Sequence, residues 1–321
     1  MAWSRAGILA LILLVLPLGG WEAYWRGQQF RPSTRNSDGL WAMARRWVDR
    51  AAPEQTVLIG SSRVLFDIDL DAWEEETGLL PLQLALEGTN PRPVLSDLAA
   101  DPDFTGLAVV VVTPMLVVMP DAGLERVFAF YNFDTALFTV LHRQTWWPER
   151  PGLPFQPRVV RKLSDMDRRR EADMWVRLED DPEYAELAKS IWRDFLDYPP
   201  PAPSEAEARA QFEAMLDEIK RDVEAIRARG GDVAFVRLPS AGYFREDEAA
   251  AFPRERVWEP IVAAAGAVSV HFEDYPELMD VRLPEWSHVS ARDKGRFTRD
   301  LVRILRDNFR ARGTLRPELE P

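Results

Sequence analysis

Four mostly aliphatic runs constrain this chain more than any other feature: Thr56 to Gly60, Leu107 to Val112, Asp232 to Pro239 and Ala267 to Phe272. Within each, apolar residues follow one another without the polar alternation of a half-exposed strand, so each must be covered on both faces. A shorter run, Leu82 to Leu86, reads as a fifth strand. Between them lie stretches of helical periodicity, including residues 73–76 and 94–100. Buried strands joined by helices close as a parallel sheet with helices on both sides. The expected fold is therefore α/β, a doubly wound parallel sheet of about five strands. In such sheets ligands bind at the carboxyl ends of the strands.

The remaining segments frame that core. Residues 1–26 contain an apolar run, Ala6 to Trp21, broken only by Pro17 and the Gly19-Gly20 pair, with Trp3, Trp21, Tyr24 and Trp25 at its ends. About 20 apolar residues span a bilayer, and aromatic residues favour its interfaces. No convincing Ala-x-Ala cleavage site follows, so the favoured reading is an uncleaved signal anchor or transmembrane helix, a membrane partner by itself, with a cleaved signal peptide and then a buried N-terminal helix as the alternatives. Arg26, Arg31 and Arg35 follow the span, so charge does not assign its orientation. Residues 27–54 are a connector and a first helix near 40–48, and residues 55–114 are the first part of the core. Residues 115–203 break the alternation with aromatic clusters such as Phe128 to Phe133 and read as a helical insertion closed by the stiff Tyr198 to Pro203 linker. Ser204 and Glu207 form a capping box for a helix running toward Gly230-Gly231. Residues 204–312 complete the core with a closing amphipathic helix near 291–310, and residues 313–321 are a C-terminal tail.

Charge and composition narrow the function. With 52 acidic against 40 basic residues the net charge is −12, and no basic stripe offsets it, which argues against nucleic acid as a partner. The absence of cysteine removes disulfides, thiol nucleophiles and thiolate metal sites. Of the three histidines, His142 lies in the insertion and His271 within the last strand, both read as structural. The spacing of His271, Asp274 and His288 is a poor match to a metal centre, so no metal and no cofactor are expected.

Chemistry concentrates at two places. The first strand runs into Gly60-Ser61-Ser62-Arg63, a tight turn that starts a helix. A serine there lies beside amides that have no intrahelical acceptor, an arrangement suited to an oxyanion. Near the other end, Glu285 precedes His288 by three residues. Histidine can take a serine proton near neutral pH, and a carboxylate on its second ring nitrogen orients it and stabilises the imidazolium. Arg63 opens the helix at the end where a cation is disfavoured by the dipole, so either it is paired, with Asp67 or Glu87 the expected partner, or it is a solvated surface arginine.

In their order along the chain these motifs resemble those of the SGNH (GDSL-type) hydrolases, over roughly residues 55–310. The resemblance implies a flavodoxin-like sheet, with Ser62 as nucleophile, His288 as base and Glu285 in the acid position. Gly88, in Leu84 to Asn90, matches the second-block glycine. The third block departs from the pattern, because Val109 to Pro114 offers no asparagine. The implied oxyanion hole is the amides of Ser62 and Gly88, with Asn90 as a substitute side-chain donor. The Gly-Ser-Ser-Arg form is similar to envelope-associated bacterial members, near the teichoic-acid alanylation and alginate O-acetylation proteins. It implies a membrane-anchored, extracytoplasmic or periplasmic esterase or O-acyltransferase acting on an envelope ester or polysaccharide through an acyl-serine. The alternative implied is a catalytically degenerate binding or assembly protein with envelope protein partners.

Overall fold

The computed structural model describes residues 2–27, 38–49, 55–118, 179–197 and 203–321. Helix α1 (Ala2–Gly27) and α2 (Asp38–Val48) precede the sheet. Then follow β1 (Thr56–Ile59), α3 (Ser62–Asp67), α4 (Leu70–Thr77), β2 (Leu82–Gln83), α5 (Arg92–Ala100), β3 (Leu107–Val111) and α6 (Pro114–Val118). After residues 119–178 come α7 (Pro182–Asp197), α8 (Glu205–Arg227), β4 (Asp232–Arg237), α9 (Gly242–Ala251), α10 (Trp258–Ala265), β5 (Val268–His271), α11 (Pro276–Met279) and α12 (Lys294–Ala311).

The five strands form one all-parallel sheet in the order β2-β1-β3-β4-β5. Side chains alternate across it with the period of two that a strand imposes. Val57, Ile59, Val110, Val233 and Phe235 enter one core with Trp41, Leu98, Val223 and Ile261. Leu58, Val109, Val111, Ala234 and Val236 enter the other, with Trp73, Phe297, Leu301 and Phe309. Burying each such side chain contributes roughly 1.5–3 kcal/mol, which is why uninterrupted aliphatic runs commit to the centre of a two-faced sheet.

Some boundaries differ from the sequence reading for local reasons. The segment after Ser62 is two helices, because Asp69 interrupts it and its Oδ1 accepts the amides of Asp71 and Ala72 at 3.0 and 3.1 Å. Regular pairing of β2 stops at Gln83, yet the amides of Leu84 and Leu86 still donate to Leu58 and Gly60 carbonyls at 2.8 and 3.1 Å. The capping box at Ser204 and Glu207 is formed. Residues 313–321 do not trail away: a short helical turn, Pro317–Leu319, buries Leu319 and Glu318.

Helix α1 stands apart in character. Its Trp3–Trp21 stretch has a mean hydropathy of 1.7 and none of it is buried against the protein. At 1.5 Å per residue its 26 residues extend about 39 Å, beyond the ~30 Å of a bilayer's hydrocarbon. It is long and apolar enough to be a membrane anchor or a signal sequence.

Candidate active site

Strand order reverses between β1 and β3, so a crevice opens at their carboxyl ends, and there the chain places Ser61, Ser62 and Thr113. Gly60 makes the turn possible through close approach: a Cβ on it would lie 2.4 Å from Val64 Cγ2 and 3.1 Å from the Val111 carbonyl oxygen. The two serines then diverge. Ser61 is buried and its hydroxyl shares a 3.1 Å hydrogen bond with Thr113 Oγ1, while Ser62 is half-buried as the first residue of α3.

The base arrives from the loop between α11 and α12. Ser62 Oγ is 3.0 Å from His288 Nε2, and His288 Nδ1 is 2.9 Å from Glu285 Oε1. An ionised carboxylate only accepts, so Nδ1 carries the ring proton and the Ser62 hydroxyl donates to the Nε2 lone pair. The local fold explains the acid's placement three residues earlier. Glu285 Oε1 also accepts the backbone amides of Ser287 at 3.3 Å and His288 at 2.7 Å, folding the loop around the carboxylate. Between them Trp286 adopts φ 75°, a left-handed conformation costing a bulky residue roughly 1–3 kcal/mol. Its carbonyl accepts the Ala241 amide at 2.9 Å, and its indole lies so near Gly242 that a Cβ there would come within 2.4 Å of Nε1.

Burial pushes the Glu285 carboxyl upward, but the charge and hydrogen bond of His288, the Trp192 indole and the His288 amide outweigh it and hold the carboxyl below its ordinary range. Glu285 is therefore ionised at neutral pH. Trp192 Nε1 donates to Glu285 Oε2, its ring packs edge-on to Phe244 at 5.3 Å, and it lies 6.2 Å from the His288 ring. Trp192 belongs to α7, inside the segment read as an insertion, and no spacing in the sequence singles it out. The same segment binds the loop that carries His288 through Glu179, which accepts the Ala291 amide at 2.7 Å, and through Asp180, paired with Arg292. Of the insertion, residues 119–178, and with them His142 and the Phe128 to Phe133 cluster, lie outside the described residues.

Trp192→Phe keeps an aromatic ring, though a smaller one, and removes the donor. A hydrogen bond to a charged group is worth roughly 1.5–3 kcal/mol, so the melting temperature should fall by several degrees and derivatisation of Ser62 should slow. If thermal denaturation and labelling match wild type, α7 has no part in orienting the acid.

Arg63 is buried and paired, as its place at a helix start demands, but its partner is neither Asp67 nor Glu87. Its Nη2 donates to Glu248 Oε1 of α9 at 3.1 Å, its Nε reaches Ser287 Oγ at 3.5 Å, and the guanidinium lies 4.9 Å from the Phe244 ring centroid. The other Glu248 oxygen accepts from Arg237 and, at 2.7 Å, from Ser240 Oγ. Burial raises the Glu248 carboxyl, but Arg237, Arg63 and the Ser240 bond keep it below its ordinary value. The brace on the Ser62 turn thus comes from the β4 side of the sheet. Asp67 is instead engaged by the Val289 amide.

Gly88 occupies an exposed turn with φ 67°, at the same end of the sheet because Leu86 pairs with Gly60. Asn90 is buried and its Oδ1 accepts the Arg92 amide at 3.0 Å, which starts α5. His271 is structural: its Nδ1 accepts the Glu273 amide at 3.3 Å, and burial, then Arg254 and Arg237, pull its pKa down to about 3. It lines a cavity of about 320 Å³ with Arg237, Ser240 and Trp258, separate from the triad. Among the described residues no cluster of three metal-ligating side chains occurs.

No protein-family model matches the chain, and no curated protein matches it either.

Proposed function

We propose that this chain is a membrane-anchored serine esterase or O-acyltransferase of the SGNH type, acting on an envelope ester or polysaccharide outside the cytoplasm. The observation that carries the reading is the hydrogen-bonded series Ser62, His288, Glu285 at the carboxyl end of a parallel sheet, with bonds of 3.0 and 2.9 Å. Both lie within the reach that proton transfer requires.

In the first step Ser62 Oγ attacks the ester carbonyl carbon and its proton passes to His288 Nε2. Glu285 stabilises the imidazolium through Nδ1. The carbonyl oxygen becomes an oxyanion, for which the Ser62 and Gly88 amides and the Asn90 side chain are the proposed donors. Loss of one such donor typically lowers a rate by roughly 10²–10³, so a hole without the family's asparagine still leaves measurable turnover. Collapse expels the alcohol, which takes the proton from His288, and leaves an acyl-serine. Water or a sugar hydroxyl then attacks the acyl carbon, giving its proton to His288, and Ser62 is released as the proton returns to its oxygen.

The test uses the full-length chain expressed in a bacterial host. A fluorophosphonate probe should label it in membranes washed with alkaline carbonate, with the label on Ser62. Labelling should vanish in Ser62→Ala and persist in Ser61→Ala, whose hydroxyl bonds Thr113. Equal labelling of both variants overturns the assignment of Ser62, and a wild-type chain that never labels favours a non-catalytic envelope binding or assembly component. A labelled chain released by the wash would instead refute the anchor.

A further inference from the structure

Helix α3 is only six residues long, yet it touches His288 and both of its neighbours. Ser62 meets the imidazole, Arg63 Nε reaches Ser287 Oγ at 3.5 Å, the Phe66 ring packs 4.6 Å from the His288 ring, and Asp67 Oδ1 accepts the Val289 amide at 2.8 Å. The last contact is the unusual one. Asp67 has no solvent exposure, and its Oδ2 is buried with no hydrogen-bond partner. Holding one amide needs one acceptor oxygen, which an uncharged side chain would supply without burying a carboxyl.

We propose that Asp67 is a positioning residue for His288, which fixes the ring opposite Ser62 through the Val289 amide and adds, when ionised, a second negative charge beside Glu285 in the surroundings of the imidazole. This rests on the acyl-transfer reading of the triad. The charged groups acting on Asp67 are Arg63 on its own helix and His288 and Glu285 on the catalytic loop; from α12 it meets the Thr298 hydroxyl, 3.5 Å from its backbone carbonyl. Burial pushes the carboxyl up to about 7, against the pull of His288, the Val289 amide and Arg63. Its ionisation therefore falls in the range where an imidazole gains and loses its proton, and the two are coupled: imidazolium favours the Asp67 carboxylate, and the carboxylate favours imidazolium.

The raised value also sets the sign of a stability effect. Unfolded, the carboxyl ionises near 3.8, and in the native protein at about 7. Native stability is therefore lost progressively as pH rises between those values, and the loss is complete above the higher one. A carboxamide would hold Val289 without that loss, so the carboxyl is not explained by stability.

Asp67→Asn and Asp67→Leu in the full-length chain in detergent test the proposal. Asn retains the acceptor without the charge: its melting temperature should exceed wild type at pH 8, and the gap should narrow steadily as pH falls toward 3.8. The acid limb of its Ser62 labelling profile, and the His288 ring signals followed by NMR against pH, should move to lower pH. Leu removes the acceptor, and its plateau labelling should fall at least roughly tenfold, most of which Asn restores. Wild-type labelling with an unmoved His288 titration in Asp67→Asn overturns the proposal, as does a Leu variant that labels at the wild-type rate. If Leu does not fold, the Asn titration decides alone. A wild-type chain that never labels, while His288 shifts in Asp67→Asn, refutes acyl transfer and upholds the coupling.

Discussion

His288→Ala should lower the rate of Ser62 labelling by roughly 10²–10⁴, the range general-base catalysis contributes. The structure gives the reason. Ser62 Oγ has His288 Nε2 at 3.0 Å to take its proton, and the Glu285 carboxyl at 2.9 Å from Nδ1 sets the tautomer that leaves Nε2 free to accept. Removing the imidazole leaves an ordinary serine hydroxyl beside helix-start amides. Glu285→Gln should cause a smaller loss, because the amide oxygen can still accept from Nδ1 while the charge that stabilises imidazolium is gone. Rates measured against pH on the full-length chain check both. A His288→Ala chain that labels at the wild-type rate would mean that the triad geometry is not used.

Glu248→Ala should be the most damaging substitution for stability. Glu248 lies between the guanidinium groups of Arg63 and Arg237, and all three side chains are nearly inaccessible. Taking away the shared carboxylate strands two buried cations, and breaking a buried pair this way costs roughly 3–5 kcal/mol. That predicts a melting temperature lower by about 4–8 °C in a protein of this size. Labelling should fall with it, since Arg63 follows Ser62 directly and loses its anchor. Because the folded carboxyl lies below its ordinary value of 4.5, the stabilisation is present at neutral pH and fades as pH drops below that value. A melting temperature within 2 °C of wild type, a threshold of about 1 kcal/mol, would show that the arginines find other partners.

Much of this was local and therefore readable. The aliphatic runs at Thr56 to Gly60, Leu107 to Val112 and Asp232 to Pro239 can satisfy their hydrophobic burden only between two layers of helices, and they form the centre of the sheet. The acid three residues before His288 is likewise local, since one carboxylate can fold its own loop by accepting the Ser287 and His288 amides. Ser62 was marked by the glycine before it and the helix after it. What stood out less was where helices stop: the break at Asp69 depends on a single side-chain cap.

From residues alone, then, came the strand and helix pattern, the apolar N-terminal helix and the three residue types of the triad, all set by interactions within a few positions of chain. The tertiary structure alone decided the pairings across the fold. Ser62 and His288 meet over 226 positions, and Arg63 and Glu248 over 185. A cation opening a helix favours a counter-charge, and Asp67, one turn on, and Glu87, beside Gly88, were the expected carboxylates. Folding brings α9 across the carboxyl ends of β4 and β1 instead, and puts the Val289 amide against Asp67. Trp192 reaches Glu285 for the same reason. Charge and hydrogen-bond partners are chosen by which surfaces pack together, and packing is a property of the whole chain that no short stretch of it encodes.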